Sequence, residues 1–202
     1  MKNILLATSN QGKVKEFQKL FENFRNIKLF SLADFNKIDE PEETGKTFKE
    51  NSLEKAKYYA EKLKISSIAD DSGLSINALD GFPAIYSGRF NNGEKKDFSF
   101  VFNAINLLLK YKNTDDYSAS FFCCMTYYDF DKKTHNSFLG EIKGNLRFPP
   151  SGDNGFGYDP IFIPEGYNKS FAEFSTDEKN SISHRARALA KFKNWLEESF
   201  EI

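Results

Sequence analysis

No long apolar run occurs anywhere in the 202 residues. Residues 4–7, Ile-Leu-Leu-Ala, are the best the N-terminus offers. A signal peptide needs about 7–15 apolar residues and a membrane span about 18 or more, so neither is expected. Charge of one sign is also missing: 28 Lys and Arg stand against 29 Asp and Glu, a net charge of -1. That balance gives no reason to expect a generic nucleic-acid or membrane surface. Cysteine is scarce, and its two copies, Cys123 and Cys124, are adjacent. In a strand their side chains point to opposite faces, which suits neither a disulfide nor, without a second cluster, a zinc site. Buried free thiols and a cytoplasmic protein are expected. No repeat, low-complexity tract or flexible linker is present, so residues 1–202 are read as one domain. What the chain has in quantity is phenylalanine, 22 residues, most of it read as core filler.

Strands and helices interleave. Residues 4–7 read as a short buried strand, followed by a polar turn. Val14, Phe17, Leu20, Phe21 and Phe24 then recur at helical spacing. After an acidic loop, Phe48, Ser52, Ala56, Tyr59, Ala60 and Leu63 mark a second helix. Thr47 is its expected N-cap, with Glu50 three residues on as a capping box. Residues 67–69 read as a short strand running into Asp70-Asp71-Ser72-Gly73. Phe98, Val101, Phe102, Ile105, Leu108 and Leu109 mark a third helix. Residues 118–128 and 136–143 look like paired strands about a turn at 129–133, and 158–163 like a strand broken by Pro160. A last helix starts near Ser183. The expected class is α/β with a mixed sheet.

Four stretches carry polar chemistry. Thr8-Ser9-Asn10-Gln11-Gly12-Lys13 is a strand-to-helix turn. Backbone N–H groups at a helix start, hydroxyls and an ammonium together make an anion site. It lacks the Walker A spacing, and a plain capping turn would use the same residues. Asp70-Asp71 follows a buried strand, and Glu42-Glu43 precedes a helix. Two carboxylate pairs brought together need a cation, and oxygen donors suit Mg²⁺; alone, Glu42-Glu43 also reads as a solvated loop. Gly152-Asp153-Asn154-Gly155-Phe156-Gly157-Tyr158-Asp159 holds an aromatic ring between glycines. Such a ring is free to stack on a planar base, with Asp159 accepting from ring N–H groups; the alternative is a hairpin with Phe156 and Tyr158 packed inward. Lys179, His184 and Arg185 lie in a segment without acids, 179–196. With Ser183 as N-cap, His184 and Arg185 fall in a first helical turn, where cations oppose the helix dipole. A local rule broken without structural gain points to a ligand. His135 reads as surface.

These stretches closely resemble the inosine triphosphate pyrophosphatase family, which hydrolyses non-standard purine nucleoside triphosphates. The resemblance rests on Ala7-Thr8-Ser9-Asn10-Gln11-Gly12-Lys13, Glu42-Glu43-Thr44-Gly45, Ala69-Asp70-Asp71-Ser72-Gly73-Leu74, Tyr86-Ser87-Gly88-Arg89-Phe90, Gly155-Phe156-Gly157-Tyr158-Asp159-Pro160-Ile161-Phe162 and Ser183-His184-Arg185, in the family's order. Gly88 and Ser52 stand where alanine is commoner. The resemblance implies a two-lobed α/β protein with an elongated mixed sheet, flanking helices and a cleft between lobes. It also implies a homodimer, a Mg²⁺ requirement, and conversion of an NTP to NMP and pyrophosphate. Thr8, Ser9, Asn10, Gln11, Gly12 and Lys13 match its phosphate loop, and Glu43 and Asp71 its metal acids. Asp71 also matches the proton acceptor and Ser72 a substrate contact. Phe156, Gly157, Tyr158, Asp159, Lys179, His184 and Arg185 match the base pocket.

Two other readings compete with an enzyme of this kind. A nucleotide sensor without turnover would have no need of Glu43, Asp71 and Lys13. A single-stranded nucleic-acid binder needs an extended basic groove that the sequence lacks.

Overall fold

The computed structural model describes residues 2–9, 11–22, 24–91 and 98–200, and only the backbone of Gln11, Gly12 and Glu16. Asn10 therefore lies outside the described residues. Among the described residues there are six strands and five α-helices, alternating as far as β4: β1 (Lys2–Leu6), α1 (Gln11–Phe21), β2 (Ile27–Ser31), α2 (Phe48–Leu63), β3 (Ser66–Ile76), α3 (Ser99–Tyr111), β4 (Ser118–Asp129), β5 (Thr134–Leu146), β6 (Phe162–Pro164), α4 (Thr176–Ile182) and α5 (His184–Ser199). The strands form one sheet in the order β2-β1-β3-β4-β5-β6. β1 runs parallel to β2 and β3, whereas β5 and β6 are antiparallel, so the sheet is mixed.

The chain divides into two compact units. Met1–Asp71, Cys124–Leu139 and Ala188–Ile202 form the first; Ser72–Cys123 and Gly140–Arg187 form the second. In the first unit Leu5 and Ala7 pack with Ala56, Tyr59 and Ala60 of α2 and with Ala69 and Tyr128. Small residues on the inner stripe of α2 let the helix approach β1 and β3 closely. Phe192 of α5 meets Phe17, Phe138 and Trp195 at ring-centroid distances of 5.9, 5.5 and 5.8 Å. In the second unit Val101, Phe102, Ile105 and Leu109 of α3 pack with Leu74, Ile76, Phe121, Phe162 and Phe171. The phenylalanines read as core filler largely serve as such.

Thr47 caps α2, its Oγ1 accepting from Glu50 N at 3.1 Å. The return half of the box is displaced: Glu50 Oε2 accepts from Lys46 N at 2.6 Å. Ser52, where alanine was the commoner expectation, shares a hydrogen bond with Thr126 Oγ1 at 2.8 Å, so its buried hydroxyl is satisfied. Cys123 and Cys124 are buried free thiols, and burial pushes the Cys124 thiol above its ordinary pKa.

Four expectations needed correction. The acids do not follow a short strand: β3 continues from Ser66 to Ile76, and Asp70-Asp71 sit in its middle. Leu74 and Ile76 resume the buried pattern beyond them, so the charged pair interrupts hydropathy without breaking the strand. The strand expected at 158–163 is a 3-10 turn, Asp159–Ile161, ahead of a three-residue β6; Pro160 fits the turn and cannot donate to a ladder. β2 lay inside a stretch read as loop. Helix α4 was not anticipated, although Ser175 and Glu178 form an S-x-x-E capping box in which Glu178 Oε2 accepts from Ser175 N at 2.7 Å.

A second such box holds the chain ahead of α4. Glu173 Oε2 accepts from Ser170 N at 2.7 Å, Ser151 Oγ at 2.8 Å and Arg147 at 2.7 Å. The Ser170 N–H, then the Ser151 hydroxyl and Arg147, hold the Glu173 carboxyl down at about 2. A depressed carboxylate pKa stabilises the fold above its unfolded value near 4.5, and that contribution is lost as pH falls toward 2. Thermal unfolding of Glu173→Gln is accordingly expected to lie below wild type at neutral pH. The gap should close between pH 4.5 and 2; a gap that is constant with pH would refute the assignment.

Candidate active site

β3 carries the acids, and strand alternation sends adjacent side chains to opposite faces. Asp70 meets Lys13 from the first turn of α1, whose Nζ donates to both carboxylate oxygens at 2.6 and 2.7 Å. Asp71, 8% exposed, meets α2: Asn51 Nδ2 donates to its Oδ2 at 3.0 Å. One turn further along α2, Lys55 donates to Glu43 Oε1 at 2.6 Å and reaches the Asp70 carbonyl at 3.5 Å. Burial alone would lower the Lys55 pKa. The Glu43 hydrogen bond and the charges of Glu43, Asp70 and Asp71 outweigh it and hold the ammonium above its ordinary value.

The first unit thus brings Lys13, Glu43, Asp70 and Asp71 into one linked polar cluster. Glu42 stays exposed, while Thr8 is half-buried and Ser9 exposed on the β1–α1 turn. Asn51 and Lys55 were missed as site residues. Their signal was present: they stand four apart, hence on one face of α2, beside its buried stripe. Gly45 explains how the Glu43 loop lies down on α2. A Cβ there would stand 2.6 Å from Asn51 Oδ1 and 2.7 Å from Glu50 Cβ.

Among the described residues no group of three or more His, Cys, Asp or Glu side chains forms a ready metal cage. The donor chemistry still fits a hard cation. Glu43 and Asp71 supply carboxylates, and the buried Asn51 Oδ1 beside them has no hydrogen-bond partner among the described residues. All are oxygen donors of the kind Mg²⁺ takes.

The second unit holds a cavity of about 140 Å³ lined by Ser72, Phe98, Phe156, Asp159, Lys179 and Arg185, among others. Asp159 is 2% exposed. Its Oδ2 accepts from Lys179 Nζ at 2.5 Å and from the Phe156 N–H at 2.8 Å, so one carboxylate ties α4 to the glycine-flanked loop. Removing one partner of so buried an ion pair costs on the order of 3–5 kcal/mol, because the other charge is stranded. Phe156 is 63% exposed, as its glycine neighbours led one to expect, and Lys179 Nζ lies 4.7 Å from its ring centroid. Tyr158 is instead buried: its hydroxyl donates to the Ser87 carbonyl at 3.0 Å, and burial raises its pKa.

Ser183 separates α4 from α5, and its Oγ accepts from Ala186 N at 3.2 Å, the N-cap role read from the sequence. This break sets His184 and Arg185 at the start of α5, on the cavity wall, with the His184 ring stacked on Phe121 at 4.8 Å and 13°. The remaining cations of the segment have other partners: Arg187 donates to the Ile182 and Glu141 carbonyls, Lys191 to the Leu139 carbonyl, and Lys193 lies 3.7 Å from Glu197 Oε1. Gly88 has open space where a Cβ would sit, so its departure from alanine costs nothing sterically. His135 is exposed, as read.

Gly155 has φ +76°, and a Cβ there would collide with Asp159 Oδ2. Gly155→Ala is therefore expected to break the Asp159–Phe156 contact and to add about 1–2 kcal/mol of backbone strain. Steady-state kinetics on the triphosphate that the resemblance implies should show KM raised by about tenfold with a smaller change in kcat. An unchanged KM would contradict the role given to this loop.

The sequence profile of the Ham1 family matches residues 4–195. A dITP/XTP pyrophosphatase of Bacillus cereus is 45% identical over 202 residues, covering 99% of this chain and 97% of its own. The dITP/XTP pyrophosphatase of Listeria monocytogenes is 41% identical over 203 residues, covering 100% and 98%. A solved HAM1 protein from Coxiella burnetii superposes with a TM-score of 0.91 at 34% identity, covering 98% of this chain and 100% of the other. The Ham1 protein of Staphylococcus aureus gives 0.85 at 37% identity, covering 98% and 99%.

Proposed function

The chain belongs to the Ham1 family, and on that premise we propose that it hydrolyses ITP, dITP and XTP to the monophosphate and pyrophosphate, clearing these nucleotides from the pool. One observation carries the reading: the peptide bond between Asp71 and Ser72 joins a buried acid held by Asn51 to the wall of a ring-sized cavity rich in donors. A cavity of about 150 Å³ takes a single aromatic ring, so about 140 Å³ has room for the six-membered ring that carries the 6-oxo edge of a purine. The names of the relatives agree.

The assigned roles follow from chemistry. Asp71 orients the attacking water and accepts its proton as the new oxygen–phosphorus bond forms at the α-phosphorus; the bond to the β-phosphate oxygen breaks and pyrophosphate leaves. Asn51 keeps the Asp71 carboxylate aimed. Lys13, with Thr8 and Ser9 after β1, Asn10, and Gln11 and Gly12 at the start of α1, receives the phosphates, and Lys55 adds a second ammonium. Glu43 and Asp71 would hold Mg²⁺, which when bound supplies charge stabilisation to phosphate oxygens. In the base pocket Phe156 stacks, Asp159 Oδ1 accepts from ring N–H, and Lys179, His184 and Arg185 donate to the 6-oxo group. Ser72, Gly157 and Tyr158 complete the wall.

Arg and Lys side chains only donate, so adenine, with a 6-amino donor, would leave donors unpaired. Adjacent free thiols support a cytoplasmic setting, and no helix among the described residues is long and apolar enough to cross a membrane. The outer face of α3, with Phe100, Leu107, Leu108 and Tyr111 exposed, supports a homodimer, since an isologous interface would cover it. Separating the products of ITP turnover by ion-exchange chromatography tests the reaction: IMP and pyrophosphate are expected, and IDP with orthophosphate would contradict it.

A further inference from the structure

Phe98 belongs by sequence spacing to the core stripe of α3, yet it stands at the helix's N-cap, half-buried, and lines two cavities at once. One is the cavity of about 140 Å³ containing Asp159, Lys179 and Arg185. The other is an open groove of about 690 Å³ along α3 and residues 150–157, with Asp153 the one formally charged lining residue among the described residues. Phe156 and Gly157 line both as well. The partition between the two spaces is thus the Phe98 ring set against the loop at Gly157, where an added Cβ would stand 3.9 Å from Phe98 Cζ.

The ring is well backed. It meets Tyr158 edge-on at 5.3 Å and 74°, and Phe102 at 6.0 Å. Tyr158 is in turn held by the Ser87 carbonyl. An aromatic edge in such a frame has little freedom to swing aside.

We propose that Phe98 is a specificity-determining residue: it closes the base pocket toward the α3 groove and so sets the upper size of base that the enzyme accepts. This rests on the reading of the inner cavity as the base pocket. Truncating Phe98 joins the two spaces and admits bases carrying a bulky substituent, while the polar groups that read the 6-oxo edge stay in place.

The test uses the full-length protein with ITP and two inosine triphosphates bearing a phenyl group, one at C2 and one at C8. Wild type and Phe98→Leu, which keeps a bulky apolar wall, are expected to hydrolyse ITP and to exclude both analogues. Phe98→Ala should accept at least one, with kcat/KM for that analogue raised about tenfold or more. For ITP it should show a higher KM, from lost contact, with kcat within about threefold of wild type. A purely structural role would lower kcat and thermal stability without opening the pocket. Phe98→Val carries the same expectation and keeps a β-branched contact with Phe102 and Tyr158 should the alanine variant fail to fold. Exclusion of both analogues by a folded truncation that still turns over ITP would overturn the proposal. Failure of wild type to act on ITP would overturn the reading beneath it as well.

Discussion

Asp71→Asn is expected to lower kcat by about 10²–10⁴-fold, the range for losing a positioned general base. Asparagine keeps the shape of the side chain, and its carbonyl oxygen can still accept from Asn51 Nδ2, now 3.0 Å from Asp71 Oδ2. It loses the charge and the proton acceptor. Asp70 remains paired with Lys13, so the charge is lost on one face of β3 only. Thermal unfolding should therefore stay close to the wild-type temperature, and KM should move far less than kcat. Near-wild-type turnover by a folded Asp71→Asn would remove Asp71 from the reacting centre.

Arg185→Ala is expected to change what is hydrolysed. Arg185 stands at the start of α5 on the cavity wall, beside the buried His184. Its guanidinium rewards a 6-oxo acceptor and leaves donors unpaired against a 6-amino group. Pockets built on such hydrogen bonds discriminate by up to about 10⁴–10⁵. With Lys179 and His184 still present, removal of Arg185 should cut the ITP-over-ATP ratio in kcat/KM by about 10²-fold, mostly through loss on ITP. An unchanged ratio would show that selectivity resides elsewhere. Guanine carries the same 6-oxo acceptor as hypoxanthine, and the size limit assigned to Phe98 bears on the rest of the ring.

Much of this was legible in the sequence where chemistry is local. Thr47 capping α2, Ser183 capping α5, the free thiols Cys123 and Cys124, and an exposed Phe156 between glycines each follow from a few neighbouring residues. The α/β class followed from interleaved periodicities. Features that depend on distant partners were not legible. Asp70-Asp71 ended a strand on hydropathy alone, because nothing nearby says that Lys13 and Asn51 will satisfy the two faces. Lys55 was not singled out, and its role shows only once Glu43, twelve residues earlier, accepts from it. Phe98 fitted the α3 stripe, and only the loop at Gly157 makes it a pocket wall. Helix α4 is a different case: its Ser175–Glu178 box was readable, but the lysine at its end drew the reading toward ligand chemistry.

The central claim is that the acids of β3 and the donors around Asp159 serve one pyrophosphohydrolase selective for 6-oxo purines of non-standard type. Pyrophosphate release measured side by side on ITP, XTP, dITP, GTP and ATP, with and without Mg²⁺, tests it most directly. The account predicts rapid release from ITP, XTP and dITP, far slower release from ATP, and loss of release when Mg²⁺ is withheld. Equal rates on all five nucleotides, or no release from any of them with Mg²⁺ present, would contradict it.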